Sequence, residues 1–568
     1  MADVTRWAPR SRVRARPVGR ALSVTVSLAM AMAGGAGATV VEAGDLRVGV
    51  PRLPASLDPV TATTPTDLML ARLLFESLVA VGDRGEIEAG LASGWSVSRD
   101  GLTWTFRLRD DIRLSTGAPV SSDDVASALA ARVSAEEPPE PAPAWMRPFR
   151  GAARVVQEVR RGEARGTVQI LLHQPYAALL AVLAHPALAL AAPPLVGGGA
   201  PIGTGPYRVA EVAPGRLVLE AVAGPGRTAP RSERIVLTEI ADEAAGFAGL
   251  GAGATLDVWL PALAPDPAPS GLQVRSAPSW QIGLLALRTD QGLFRQKVAR
   301  QAAALSLDPG LVQAALARNA RPLAAYLPPG AWAAREVPRP FDLGQAKKLL
   351  ASLQSTDLGL TLVVPELTGG LDAARLAEAL RASLVAAGFR PRVRMETAEA
   401  AAAMQRRGEA DLGLIETRLE LDDPHVLLHP LLASDAATPG SATNVAFLRS
   451  PLVDGMLGRA SQLGFRPERL RLYQRLQTHL AEEWPYVPLY VRLQWLVARP
   501  EVRDAALQPS GLHRLERFFV EVPALPAAPA PAAPAPVAPL PAAPPPGGPL
   551  VPVEPTIPPP PAPPSTTR

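Results

Sequence analysis

The chain of 568 residues has no cysteine. That excludes disulfide bridges, thiolate metal sites, thiol nucleophiles and a lipid-modified N-terminal cysteine. Lysine is almost missing too, with only Lys297, Lys347 and Lys348. No phosphate loop ending in Gly-Lys occurs, no G-x-S-x-G elbow and no H-E-x-x-H helix, so no catalytic set emerges and an enzyme is not expected. Gly249-Leu250-Gly251-Ala252-Gly253 lacks the spacing of a dinucleotide loop and reads as a turn. Aromatic residues make up only 5% of the chain, and no basic stripe is interleaved with them, so nucleic acid is not an expected partner. The net charge of +4 does not change this. Six arginines before Ala38 stand against Asp3, so this end alone carries +5 and the remainder is close to neutral.

That arginine-rich end precedes an uncharged run from Ala21 to Val41. With Ala36-Gly37-Ala38 as small residues before a cleavage point, residues 1–38 read as a secretory signal peptide; an uncleaved membrane anchor is the alternative. At the other end, residues 523–568 are mostly proline and alanine, which predicts a polyproline II or disordered tail.

Between these ends the most informative stretch is Leu70–Arg132. Leu70, Leu73, Leu74 and Leu78 recur at helical spacing. Gly82-Asp83-Arg84-Gly85 is a turn. Trp95–Val97 and Thr103–Leu108 alternate as strands around an Asp100-Gly101 hairpin. Ser121 with Asp124 marks a helix start. Leu74-Phe75-Glu76, Gly90-Leu91-Ala92, Trp95, Ser98, Asp100-Gly101, Trp104, Phe106, Leu108-Arg109, Pro119-Val120 and Asp124-Val125 stand in the order and spacing of a known family. On these residues the chain resembles the extracytoplasmic solute-binding proteins of family 5, which serve oligopeptide, dipeptide and nickel ABC importers. Leu114 and Thr116 depart from the family's usual aromatic and aspartate. Ser56-Leu57-Asp58-Pro59, Gly203-Thr204-Gly205-Pro206-Tyr207, Phe341-Asp342 with Ala346-Lys347, and Pro488-Leu489-Tyr490 fit the same resemblance.

Other elements are legible without any family. Pro175–Ala184 is an expected helix; over Phe294–Leu307 it is the family resemblance that implies one. Strands at Leu360–Val364, Arg390–Met395 and Ala410–Ile415 alternate with helices at Asp372–Ala387 and Ala398–Arg407, the β-α-β-α-β pattern of an open parallel sheet. Ligands of such sheets sit at the carboxyl ends of the strands. Glu416, Glu420, Asp422 and Asp423 are expected just past the third strand.

The resemblance implies an α/β fold, periplasmic-binding-protein-like (type II, cluster C-like), with two lobes on a hinge and an extra small domain. It divides the chain into lobe I (39–74, 201–272 and 486–522), the extra domain (75–200) and lobe II (273–485). It implies a short peptide ligand, delivery to a membrane permease and ATPase complex, a periplasmic monomer and no cofactor. Glu420 stands where relatives hold the peptide's α-amino group, and Thr417 where they carry an aromatic. Asp422 and Asp423 are further ligand candidates, or else caps of the helix that Pro424 begins. Trp280, at the start of lobe II, is a candidate pocket aromatic, whereas Trp95 and Trp104 are expected inside the extra domain. His425 and His429 share a helix face at metal-ligand spacing, but two surface histidines are the commoner case, and no metal site is expected. His173, His185, His479 and His513 fall in unrelated contexts. Nickel, a sugar, or a sensory or structural role in the envelope are alternatives to peptide import.

Overall fold

A computed structural model describes residues 44–82, 85–133, 155–192, 201–223, 229–251, 254–265, 270–353 and 357–521. The expected signal segment, the Pro/Ala tail and the residues Asp83, Arg84, Ala252 and Gly253 of the sequence readings lie outside the described residues.

Strand β1 (Leu46–Val50) opens the described chain. Helix α1 (Pro65–Leu74) follows, started by a capping box between Thr64 and Asp67 with Pro65 in first position. Its apolar face ends earlier than its spacing suggests. Phe75 turns extended at φ −135° and ψ 152°, so Leu78 is buried beyond the helix instead of on it.

The hairpin β2 (Val79–Val81) and β3 (Ile87–Ala89) leads into a separate antiparallel sheet. Its strands β4 (Ala92–Val97), β5 (Thr103–Leu108), β6 (Val156–Arg161) and β7 (Thr167–Leu172) run in the order β4-β5-β7-β6. Asp100 accepts from the Leu102 N–H at 3.0 Å and Gly101 takes φ 76°, which makes the hairpin foreseen there. Ser121 and Asp124 exchange backbone bonds at the start of α2 (Ser122–Val133). The helix expected over Pro175–Ala184 is only α3 (Leu179–Leu183); before it the Leu179 N–H closes a turn on the Tyr176 carbonyl at 3.2 Å and the Ala177 N–H donates to the Ser461 carbonyl at 2.6 Å. Phe106, Val168, Ile170 and Leu179 form this unit's core, with Trp95 and Trp104 packed against it. The return of the chain explains the glycines of Gly203-Thr204-Gly205: a Cβ on either would collide with the last carbonyls of α1.

Strands β8 (Tyr207–Ala213), β9 (Arg216–Ala221), β10 (Arg234–Glu239) and β11 (Val258–Trp259), with helix α4 (Glu243–Leu250), build one half of the main sheet around β1. β1 lies parallel between β10 and β11. Next come β12 (Gln273–Leu287), α5 (Lys297–Ser306), α6 (Pro309–Leu316), β13 (Ala320–Pro322) and α7 (Leu343–Ala351). The single helix expected over Phe294–Leu307 is broken by Gln296, which is extended between a short turn and α5.

The parallel repeat is present as β14 (Gly359–Pro365), α8 (Ala373–Ala387), β15 (Arg390–Glu396), α9 (Ala398–Arg407) and β16 (Leu412–Arg418). β16 runs three residues further than its apolar run suggests, since its ladder with β12 continues to Arg418. Helices α10 (Pro424–Leu432), α11 (Pro451–Gln462) and α12 (Arg466–Glu483) precede β17 (Tyr486–Ala498).

β1 and the strands β8 to β17 join one sheet of eleven strands. The order is β15-β14-β16-β12-β17-β11-β1-β10-β9-β8, with β13 also on β17. The halves meet through β12 and β17, fifteen and thirteen residues long, which pair from one half into the other. Their register shifts between Pro278 and Ile282, so Ser279, Trp280 and Gln281 leave the ladder at the junction. Pro278 has no N–H to donate, which suits it to such an irregularity.

Candidate functional site

Two cavities adjoin at this junction. The larger, about 330 Å³, lies between Pro51 after β1, Met69 on α1, Gln281 and Arg492 on the long strands, and His513. The smaller, about 240 Å³, is lined by Trp280, Glu420, Asp422 and His185, with Gly82 and Gly85 of the β2–β3 turn. Ser510 borders both.

The sequence grouped four acids past β16, and the structure separates them. Glu416 is inside β16, opposite Gly283. Its carboxylate accepts from Arg492 Nε at 2.6 Å and Nη2 at 2.9 Å, from Tyr490 Oη at 2.9 Å and from Gln281 Nε2 at 3.2 Å. Arg492 also donates Nη1 to the Thr368 and Gly369 carbonyls, at 2.6 and 2.9 Å. This is a saturated internal pair. Asp423 caps α10 by accepting from the His425 N–H at 3.0 Å, and holds Arg469 Nη2 at 2.7 Å while only 3% exposed. It lines neither cavity among the described residues, and the capping role fits it.

Glu420 and Asp422 do line the smaller cavity. The Glu420 carboxylate has no hydrogen bond among the described residues, and the nearest cation contact, Arg418 Nε, is 4.0 Å away. Burial pushes its pKa up, against the pull of Arg418. Burial raises the Asp422 carboxyl further, to about 7. Its Oδ1 is buried without a partner among the described residues, while its backbone carbonyl takes the Trp332 indole N–H at 3.0 Å. Gly85, at φ 75°, packs on Asp422 Oδ2 so closely that a Cβ there would overlap it.

Trp280 lies within β12, which begins at Gln273, and lines the smaller cavity. Its N–H donates to the Pro509 carbonyl at 2.8 Å and its carbonyl accepts from Leu419 at 3.0 Å, so its backbone ties the 508–513 loop to the end of β16. Its indole Nε1 is buried without a partner among the described residues. Thr417 pairs in register with Ile282 and lines neither cavity among the described residues.

Four residues that motif reasoning passed over complete the site. Arg418, the last residue of β16, donates Nη2 to the Ser510 carbonyl. His185 and His513 were expected in unrelated contexts, yet both sit within the field of Arg418. Burial first, and then that charge, hold His185 at about 3 and His513 at about 4. Their Nδ1 atoms accept from Ala187 N at 3.2 Å and Gln508 N at 3.1 Å. They are more than 300 residues apart in the chain, so no local pattern could have joined them. His425 and His429 do share a face, with ring centroids 5.0 Å apart. His425 is buried against Tyr176, and no group of three metal-ligating side chains stands together among the described residues.

A mixed α/β molecule whose two sheet halves are joined by paired crossing strands, with a polar cleft at the junction and a small β domain beside it, has the architecture of a periplasmic-binding-protein-like receptor. Comparison with known proteins agrees. The profile of bacterial extracellular solute-binding proteins, family 5 (middle region), matches residues 86–439. The glutathione-binding protein GsiB of Escherichia coli is 25% identical over 465 residues, 77% of this chain and 86% of GsiB. HbpA2 from Haemophilus parasuis superposes with a TM-score of 0.75 at 19% identity, over 84% of this chain and 100% of that one. The dipeptide binding protein of Pseudoalteromonas sp. SM9913 in complex with Met-Leu gives 0.64 at 20% identity, over 84% and 100%. The chain belongs to the bacterial extracellular solute-binding proteins of family 5.

Proposed function

We propose that this protein is the periplasmic receptor of an ABC importer for short peptides. It works as a monomer, released by cleavage after its signal segment, and hands its ligand to a membrane permease and ATPase complex. Residues 39–74, 201–272 and 486–522 form lobe I, 273–485 form lobe II and 75–200 form the extra domain. The ligand lies between the lobes, where the register shift in β12 and β17 supplies the hinge.

The observation that carries this reading is the Glu420 carboxylate, at the edge of a cavity and without a hydrogen bond among the described residues. A half-buried carboxylate is costly to keep charged, and a ligand ammonium offsets that cost through a charge-assisted bond. Trp280 lines the same cavity and offers an aromatic wall beside the amine. The similarity to GsiB, and to a protein solved with Met-Leu, favours peptides over metals or sugars. Lobe closure over a strand-like ligand then presents the complex to the permease, with no bond made or broken.

Native mass spectrometry of the protein, purified folded from a bacterial periplasm and challenged with a mixed library of di- and tripeptides, tests the class. Peptide adducts are expected; a protein that binds none would end the peptide reading. Glu420→Gln should weaken peptide binding by about 1.5–3 kcal/mol without lowering the melting temperature.

A further inference from the structure

We propose that Asp422 and His425 form a proton-compensated joint between the extra domain and lobe II: when the two separate, the acid gives up a proton and the histidine takes one, so opening is nearly indifferent to pH. The inference rests on the two-lobe reading and adds a property that no ligand is needed to reveal.

Both ends of the extra domain run into lobe I, so a hinge between the lobes carries it away from lobe II. In the structure it is docked there. The Ala177 N–H reaches the Ser461 carbonyl of α11 at 2.6 Å. Tyr176 meets the His425 ring edge-on, with centroids 6.0 Å apart. Gly85 lies against Asp422 Oδ2. Leu421 and Val426 of lobe II share one apolar cluster with Leu179 and Val182 of α3. Asp422 and His425 are the chain neighbours of those two apolar residues, so separation of the cluster uncovers them as well.

Geometry fixes the state of both groups in the docked form. Asp422 Oδ1 and His425 Nδ1 are buried without a partner among the described residues. A carboxyl and an imidazole so placed are neutral, because neither charge is solvated. Their neighbours do not reverse this. Arg466 of α12 faces Asp422 but stacks on the Trp332 ring at 4.8 Å and makes no ion pair with it among the described residues. Asp423 adds a like charge, and on the extra-domain side Glu86 and Glu88 close on Gly82. Burial thus keeps the Asp422 carboxyl up at about 7. His425 faces His429 of its own helix, Arg469 and Tyr473 of α12 and Tyr176 of the extra domain. Asp423, the acid nearest in sequence, is taken by Arg469 at 2.7 Å. Burial first, then His429 and Arg469, hold the imidazole well below its ordinary range. Glu420 and His185 repeat the combination beside the smaller cavity, an acid pushed up and a histidine pushed down.

Separation returns both groups to water, where an aspartic acid ionises near about 4 and a histidine takes its proton near about 6.5. Between those values one proton leaves Asp422 as one enters His425, and the balance is close to zero. Alone, the acid would make opening easier as the pH rises, since the separated form binds fewer protons. Alone, the histidine would make opening harder as the pH rises, since the separated form binds more. Together the two slopes cancel.

The chain has no cysteine, so Ser96→Cys in the extra domain and Thr478→Cys on α12, both exposed, take a donor and an acceptor dye without background. Single-molecule energy transfer on the full-length protein, without added ligand, then gives the ratio of separated to docked molecules. With both titrating groups present this opening ratio should change by less than about fivefold between pH 5.5 and pH 8. In Asp422→Asn the change from pH 5.5 to 8 should be shifted downward by at least about fivefold, and in His425→Gln upward by at least about fivefold. Melting temperatures report whether the variants fold, with Asp422→Ala and His425→Asn as second choices. A larger change in the parent protein, or a folded variant that misses its shift, overturns the compensation and leaves the hinge standing. If the dyes keep one distance at every pH, the two-lobe reading falls with the proposal. The peptide reading is judged separately, by the library.

Discussion

Glu416 and Glu420 are four residues apart and chemically identical, yet one is structural and the other faces a cavity. Glu416 and Arg492 are half-buried to buried and exchange two short bonds inside the sheet. Removing one member leaves a buried charge without its partner, which costs about 3–5 kcal/mol. Glu416→Ala and Arg492→Ala are each expected to lower unfolding free energy by that order in urea melts. The double substitution should cost less than the sum of the two, because the orphaned charge is gone. The motif reading singled out Glu420 and Asp422 because they stand in a recognisable segment. It missed Arg418, Ser510, His185 and His513 because their relation exists only once β16, the 508–513 loop and the extra domain meet. It also placed Glu416 beyond the strand, since the polar run Glu416-Thr417-Arg418 looks like loop until its ladder with β12 is known.

Elements whose ends are set by local chemistry were readable. The Ser121–Asp124 start of α2, the Asp100-Gly101 hairpin and the parallel β14–β16 repeat all follow from capping, turn or periodicity rules. Elements whose ends meet distant parts of the chain were not, as with α3, preceded by a turn whose Ala177 N–H bonds Ser461. The β2–β3 turn was legible from its glycines, Gly82 and Gly85, but the tertiary contact at Gly85 was not. Gly85 is there for two reasons, its φ of 75° and the carboxylate of Asp422 against its Cα. Gly117, at φ 88° with nothing within 4 Å of a built Cβ, has only the first. Gly85→Ala should therefore destabilise by more than about 1 kcal/mol and by more than Gly117→Ala, measured by chemical denaturation. The excess should shrink in an Asp422→Ala background; an equal cost at the two glycines would remove the Asp422 contact from the account.

At the scale of the whole molecule the buried titratable groups set a pH response. His185 and His513 stay neutral in the fold down to about 3 and 4, whereas an unfolded histidine takes its proton near 6.5. Below about 6.5 the unfolded chain binds more protons, so this part of the stability is present above that pH and lost as the pH falls towards the folded values. Asp422 works in the opposite sense. Its carboxyl is held up at about 7, so the fold keeps a proton that the unfolded chain releases near 4, and stability from this group is lost as the pH rises through 4 to 7. Two outcomes are expected in thermal melts. His513→Asn should flatten the loss of stability between pH 6.5 and 4. Asp422→Asn should raise the melting temperature at pH 8 relative to wild type and have little effect at pH 4.

The order of strands in the central sheet has a consequence for how the chain comes into being. β17, residues 486–498, holds β11, β12 and β13 together, and the next strand beyond β11, β1, stands at the opposite end of the sequence. Neither half of the sheet can be finished until the last tenth or so of the body has been made. Long-range pairing of this kind is slow to form. A newly made chain therefore stays unclosed through most of its synthesis, which is the state a polypeptide needs if it is to be threaded through a membrane before it folds.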